Sequence, residues 1–213
     1  MPQPARTNRR AIVAAAIELL DERGLDGLSL HEIAARLGVK QPALYHHVAS
    51  KADLLSAVAE EVLDRHHTAR LPNDGEAWDA FTARNARSLR GAMLSVRDGA
   101  RLISSAGGRV PKLGNAMAQV DLLERAGFDG RTAVLALIAV SRYTIGAALE
   151  EQASRSNPPL SASAPGDDER IVRFAGILRD VTAAGPDAEF DLGLAALLAG
   201  LDAQRKKRER SSS

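Results

Sequence analysis

The chain of 213 residues contains no cysteine, and aromatic residues make up only 3% of it. Without cysteine there are no disulfides and no thiolate zinc sites, which fits a reducing, cytoplasmic setting. So few rings weigh against binding single-stranded nucleic acid by base stacking. No unbroken apolar run reaches the roughly 18 residues of a membrane span. The opening Met-Pro-Gln-Pro-Ala-Arg holds no apolar signal core, so a cytoplasmic protein with no membrane partner is expected. Also lacking are a phosphate-cradling glycine loop, a nucleophile elbow and histidines at i, i+4. No catalytic residue, no cofactor and no metal site is therefore expected. Strand-type alternation is missing too, so the fold class reads as all-α.

What remains is 45% hydrophobic and 26% charged, enough for one large domain or two small ones. The net charge of +1 hides an asymmetry. Residues 1–51 carry 7 Lys/Arg against 5 Asp/Glu, with three histidines besides. Residues 52–204 carry 16 against 21, and the stretch Arg205 to Arg210 carries 5 against 1. A positive head before a negative body suits a protein that touches DNA at one end only.

The head contains the most informative segment, Ser29 to Val48. Ser29 followed by Glu32 is a capping box, in which each side chain satisfies a backbone donor. Leu30, Ile33, Ala34 and Leu37 form one buried stripe. Gly38 stands where a helix stops and a positive φ is cheap, and Pro42 suits the first turn of a second helix. Such a pair can set Gln41, Tyr45, His46 and His47 into a DNA major groove; the same spacing also suits an ordinary αα-corner.

The rest reads as helix. A first helix is expected from about Asn8 to Arg23, ended by Gly24, and a rod from Lys51 to about Arg70, capped by Ser50 and Asp53. After the breaker cluster Leu71-Pro-Asn-Asp-Gly75, helices are expected near Ala77–Arg90, Asp98–Ser104, Pro111–Ala126, Arg131–Gln152, Glu169–Ala183 and Phe190–Lys206. Ser105–Arg109 and Ser156–Asp168 read as mobile loops. Arg131–Gln152 and Phe190–Leu201 are apolar on more than one face, so they either lie centrally or pair with a second copy. Pairing is the favoured reading, because two-fold dimers suit palindromic sites. The expected organisation is a helix-turn-helix head over 1–51, a ligand-binding and dimerisation core over 52–204, and a disordered basic tail over 205–213.

Four stretches, Leu28 to Lys51, Leu63-Asp-Arg-His-His-Thr68, Leu94 to Ala100 and Tyr143 to Gln152, give the chain a resemblance to the tetracycline-repressor (TetR) family. The likeness runs ungapped from about residue 11 to 152 and returns around 190–201. It implies all-helical homodimers whose core releases a double-stranded operator when a small-molecule inducer binds. It places Gln41, Pro42, Tyr45, His47 and Lys51 against DNA, and chemistry agrees: Gln pairs with adenine, Pro packs on a thymine methyl, and Lys meets a phosphate. His31 stands where tetracycline repressors carry a guanine-reading arginine, and Leu30, Ala43 and His46 replace residues at further contact positions. These departures leave the operator sequence open and the mode of binding as the resemblance implies.

In the body the resemblance places His67, Asn85, Leu89, Gln119 and Glu150 around the inducer cavity. Ile103 stands where tetracycline repressors carry a magnesium-ligating histidine, and Arg142 replaces another histidine on the metal side. Isoleucine cannot coordinate a cation and arginine repels one. The expected inducer is therefore a metal-free molecule with an anionic or hydrogen-bonding edge rather than magnesium-tetracycline. The alternatives are a helical protein-interaction scaffold and, at a distance, a small-molecule enzyme.

Overall fold

A computed structural model describes residues 7–106, 113–156 and 169–212, and all regular structure among them is helical. α1 (Arg9–Arg23) starts where the Asn8 side chain accepts from Ala11 N, and it stops at Gly24, whose φ is 72°. α2 (Leu30–Leu37) starts at Ser29, whose Oγ accepts from Glu32 N at 3.2 Å, and ends at Gly38 in the left-handed region, φ 67° and ψ 28°. Only half of the expected capping box forms. The Glu32 carboxylate turns instead to Arg23, 2.7 Å away on α1, and so ties the two helices together.

The second motif helix is a 3-10 segment, Gln41–His46, closed by i to i+3 bonds such as Ala43 N to Lys40 O at 2.9 Å. Pro42 has no N–H to contribute to an α ladder, and the segment is too short to build one beyond it. α3 (Lys51–His66) follows its cap Ser50. It ends four residues before Arg70, because the strip after it is bonded sideways by α4 and α6. The remaining elements are α4 (Trp78–Leu94), α5 (Gly99–Ser105), α6 (Leu113–Arg125), α7 (Gly130–Ser156) and α8 (Glu169–Ser212). α8 is broken at Gly185, φ 80°, just before Pro186. The residues expected to form the 107–109 and 157–168 loops, and the expected helix start at Pro111, lie outside the described residues.

Two apolar clusters hold the molecule. The first runs without a break from α1 and α2 through Leu44 and Val48 into α3, and on to Met93, Leu102 and Ile103. Packing is thus continuous from head to body. The second joins Trp78 and Phe81 of α4 to α6, α7 and the later half of α8. Within it Trp78 meets Phe128 edge-on at 4.8 Å, and Tyr143 stacks on Phe190 at 5.4 Å. Where α4, α7 and α8 meet, buried Arg90 pairs with Glu151 and Asp187, each at 2.6 Å, and lies over the Phe190 ring.

Residues 130–155 are long and apolar enough, by length and composition, to cross a membrane. In this fold they pack against α4, α6 and α8, leaving Val134, Leu135 and Ile138 exposed along one stripe. The tail expected to be disordered is instead the last part of α8, which runs to Ser212. Arg205 donates to Ala126 O and Arg208 pairs with Asp129, so these two are held by the body, while Arg205 and Lys206 also pair with Asp202 along the helix itself.

Candidate DNA interface and ligand-binding body

Leu44 and Val48 are fully buried and anchor the 3-10 segment. Around them Pro42, Tyr45 and His46 are exposed, while Gln41, Ala43 and His47 are half-buried. Gln41 Nε2 donates to Tyr45 Oη at 3.3 Å, which ties the two side chains together on this surface. His31 lies exposed on the first turn of α2, and Lys51 lies exposed at the first position of α3. The structure therefore brings all eight expected DNA-facing residues onto the two motif segments and the start of α3.

A clamp that sequence reading missed holds this surface in place. Arg9 donates to Asp53 Oδ1 and Oδ2, at 2.8 and 3.1 Å, and also to His47 O at 2.8 Å. Asp53 further accepts from Ala49 N at 2.9 Å. Arg9 and the Ala49 amide hold the Asp53 carboxyl down at about 2. One carboxylate thus joins the start of α1, the exit of the 3-10 segment and the first turn of α3. Asp53 is visible in the sequence as part of a helix start, but its partner lies 44 residues away, and no local pattern signals that contact.

Head and body meet at the α4–α5 turn. Asp98, with φ 56°, accepts from Leu25 N at 2.8 Å, and Arg97 N donates to Asp21 at 2.9 Å. Arg101 pairs with Asp26 at 3.0 Å. The turn itself is stitched to α7 by Gln152, whose Oε1 accepts from Ala100 N and whose Nε2 donates to Met93 O and Val96 O.

In the body, the expected ligand residues fall into three groups. His67, Asn85 and Gln119 converge on the strip that follows α3. His67 Nδ1 and Ser88 Oγ share a hydrogen bond of 2.9 Å, Asn85 Nδ2 donates to Ala69 O at 2.7 Å, and Gln119 Nε2 donates to Arg70 O at 2.8 Å. Each amide thus spends its nitrogen on a backbone carbonyl of the strip. Ile103 is buried in the first apolar cluster, and Leu89 packs, partly buried, against the same cluster. Arg142 and Glu150 lie exposed on α7, two turns or about 12 Å apart along the helix. Glu150 lines an open cleft of about 460 Å³ with Asp98, Arg101, Leu149, Gln152 and Ala153. Within one copy of the chain, Arg142 and Glu150 are not brought to the strip.

Comparison with known proteins bears on both ends of the molecule. Residues 12–58 match the family described as bacterial regulatory proteins, tetR family, and residues 71–205 match the tetracyclin repressor-like C-terminal domain. The chain is 39% identical to the tetracycline repressor protein class C of Escherichia coli over 207 residues, 94% of this chain and 93% of the relative. Among solved structures it is similar to TetR from Acinetobacter baumannii AYE, with a TM-score of 0.81 at 39% identity, covering 94% of this chain and 99% of the other. It is also similar to the class A TetR in complex with 5a,6-anhydrotetracycline and magnesium, with a TM-score of 0.73 at 37% identity, covering 92% and 99%.

Proposed function

The chain belongs to the tetR family of bacterial regulatory proteins, and from that premise we propose that it is a repressor whose two copies grip a palindromic operator and release it when a small molecule fills the body. It is a ligand-responsive transcriptional regulator and not an enzyme. The observation that carries the proposal is the recognition surface of residues 1–51: an exposed polar face on a buried anchor, locked by the Arg9–Asp53 clamp. Gln41 reads adenine, Pro42 and Ala43 pack on a thymine methyl, and His31, His46 and His47 flank them in the groove. Tyr45 and Lys51 meet phosphates, and Lys51 does so at the N-terminus of α3, where the helix dipole adds to its charge.

One such head reads too few bases to be selective, so a second copy is part of the proposal. The exposed apolar residues Val134, Leu135 and Ile138 on α7, with Leu192 on α8 exposed to 75%, form a face that a monomer in water would not keep. A second copy covering it by two-fold symmetry sets two heads side by side. Entry into successive major grooves requires a separation of about 34–36 Å. Residues 52–204 hold the ligand, and two routes lead from there to the head: the α3 rod, and the α4–α5 turn that Gln152 fastens to α7. A ligand that favours one setting of these elements shifts the spacing by its differential affinity. Coupling of about 1–3 kcal/mol changes operator affinity roughly 5- to 150-fold.

The class A relative was solved with 5a,6-anhydrotetracycline and magnesium. Here the corresponding wall offers buried Ile103, which has no lone pair for a cation, and the permanent charge of Arg142. The side chains do not fit a magnesium-borne drug, so the natural inducer is a different, metal-free molecule. Isothermal titration with tetracycline and magnesium should give only weak heats that the metal does not alter; tight magnesium-dependent binding refutes this point. Footprinting on the DNA upstream of the chain's own gene tests the function. Two protected half-sites about one helical turn apart are expected, and uniform or absent protection overturns the proposal.

A further inference from the structure

We infer that Arg70 makes the ligand site of the body an anion site, selective for small molecules that carry a carboxylate; the inference rests on the reading that the body holds a ligand. α3 ends at His66, and the chain then folds Arg70 back against it. Arg70 Nε donates to His67 O at 2.9 Å and Nη1 donates to Asp64 Oδ1 at 2.6 Å. Its third nitrogen, Nη2, is shut off from solvent and has no hydrogen-bond partner. The side chain as a whole is 21% exposed, whereas Asp64 is 47% exposed and takes only the Nη1 edge.

A buried donor left unmet costs about 1–3 kcal/mol, and more when the group is charged. The one other buried guanidinium with an unmet atom among the described residues, Arg90, is answered inside the chain. It has two carboxylates and an aromatic face, and only its Nε lacks a partner. Arg70 has one carboxylate, no ring, and a whole NH₂ group left over.

The position of that NH₂ group gives it a meaning. The strip of Ala69 and Arg70 is gripped by Asn85 from α4 and Gln119 from α6, two residues that the proposed function assigns to the ligand. An anionic oxygen on Nη2 would complete the guanidinium by a charge-assisted hydrogen bond. The amide oxygens of Asn85 and Gln119 accept from hydroxyl or amine groups elsewhere on the same ligand. The bonds from Arg70 to His67 O and Asp64 fasten the bound anion to the C-terminal turn of α3, the rod that carries Lys51 at its other end. A carboxylate at Arg70 therefore acts on the element that sets the head.

The test uses acetate, benzoate and octanoate, each beside its neutral amide, titrated calorimetrically into the full chain and into Arg70→Gln. At least one acid is expected to bind about tenfold or more tightly than its amide, the worth of one charge-assisted bond. In Arg70→Gln that preference is expected to vanish while the helical circular dichroism of the chain is kept. Equal binding of acid and amide, binding of neither, or a preference that survives in Arg70→Gln overturns the inference. If Arg70→Gln does not fold, the guanidinium proton resonances of the native chain decide. Downfield movement of the Arg70 Nη protons with the acid alone supports the site, and no movement refutes it. Failure of the native chain to bind its upstream DNA would count against the regulator reading and would leave the acid–amide comparison intact.

Discussion

Replacing Asp53 by asparagine keeps the shape of the side chain and removes its charge from the clamp of Arg9, His47 O and Ala49 N. The carboxyl of Asp53 lies at about 2 instead of 3.8 because Arg9 and the Ala49 amide favour its ionised form. At about 1.4 kcal/mol per pH unit, that difference sets a ceiling of roughly 2.4 kcal/mol. The carboxylate is 33% exposed and the guanidinium 48% exposed, so water screens the pair. A net contribution of about 1 kcal/mol is the realistic figure. For a domain of this size the loss corresponds to a fall of about 2–4 °C in melting temperature. The sign with pH follows from the depressed value: the stabilisation is complete above the unfolded carboxyl value near 4 and is lost as pH falls through 4 towards 2. Thermal melts followed by circular dichroism at pH 7 and pH 3 should therefore separate native and Asp53→Asn proteins at neutral pH and narrow the gap to about half at pH 3. Because the clamp holds the exit of the 3-10 segment, the variant should also lose more affinity for its operator than for random DNA. Equal melting of the two proteins at pH 7, or a gap that stays the same down to pH 3, would refute the reasoning.

Lys51→Ala should weaken binding to all duplexes alike and reduce the salt slope of affinity by about one; fluorescence anisotropy across a salt series measures it, and an unchanged slope removes the phosphate contact. At Gly99 an added Cβ would stand 2.3 Å from Met93 O and 2.8 Å from Val96. Gly99→Ala should therefore force the α4–α5 turn apart at a cost of about 1–3 kcal/mol, seen in urea melts and in loosened head–body coupling. Arg90→Met leaves Glu151, whose side chain is only 9% exposed, with Arg155 as its remaining cationic partner, and should cost about 1–3 kcal/mol. Pairing it with Glu151→Leu should recover most of that loss in the same urea melts.

The sequence was most informative where a local residue decides the outcome. Asn8, Ser29 and Ser50 are the caps found at the starts of α1, α2 and α3, and Gly24 and Gly38 end α1 and α2 with positive φ. The break between the two expected helices of α8 appears as the Gly185–Pro186 kink. Expectation and structure part where distant partners decide. Glu32 leaves its cap for Arg23, and α3 stops at His66 because Asn85 and Gln119 take the Ala69 and Arg70 carbonyls. The basic stretch after 204 stays helical because Asp129, Asp202 and the Ala126 carbonyl meet it. The candidate site residues were named from type, position and resemblance, whereas the groups that brace the elements carrying them, Arg9 with Asp53 and Gln152 with the α4–α5 turn, act across separations that no local pattern encodes.

The absence of cysteine allows one direct measurement of the central claim. A single cysteine at exposed Ala35 on α2, carrying a nitroxide, reports the separation of the two heads by pulsed electron resonance. The account predicts one narrow distance distribution on operator DNA and a broader or displaced one without it. A missing dipolar signal at working concentration, or a distribution that the operator leaves unchanged, would contradict it.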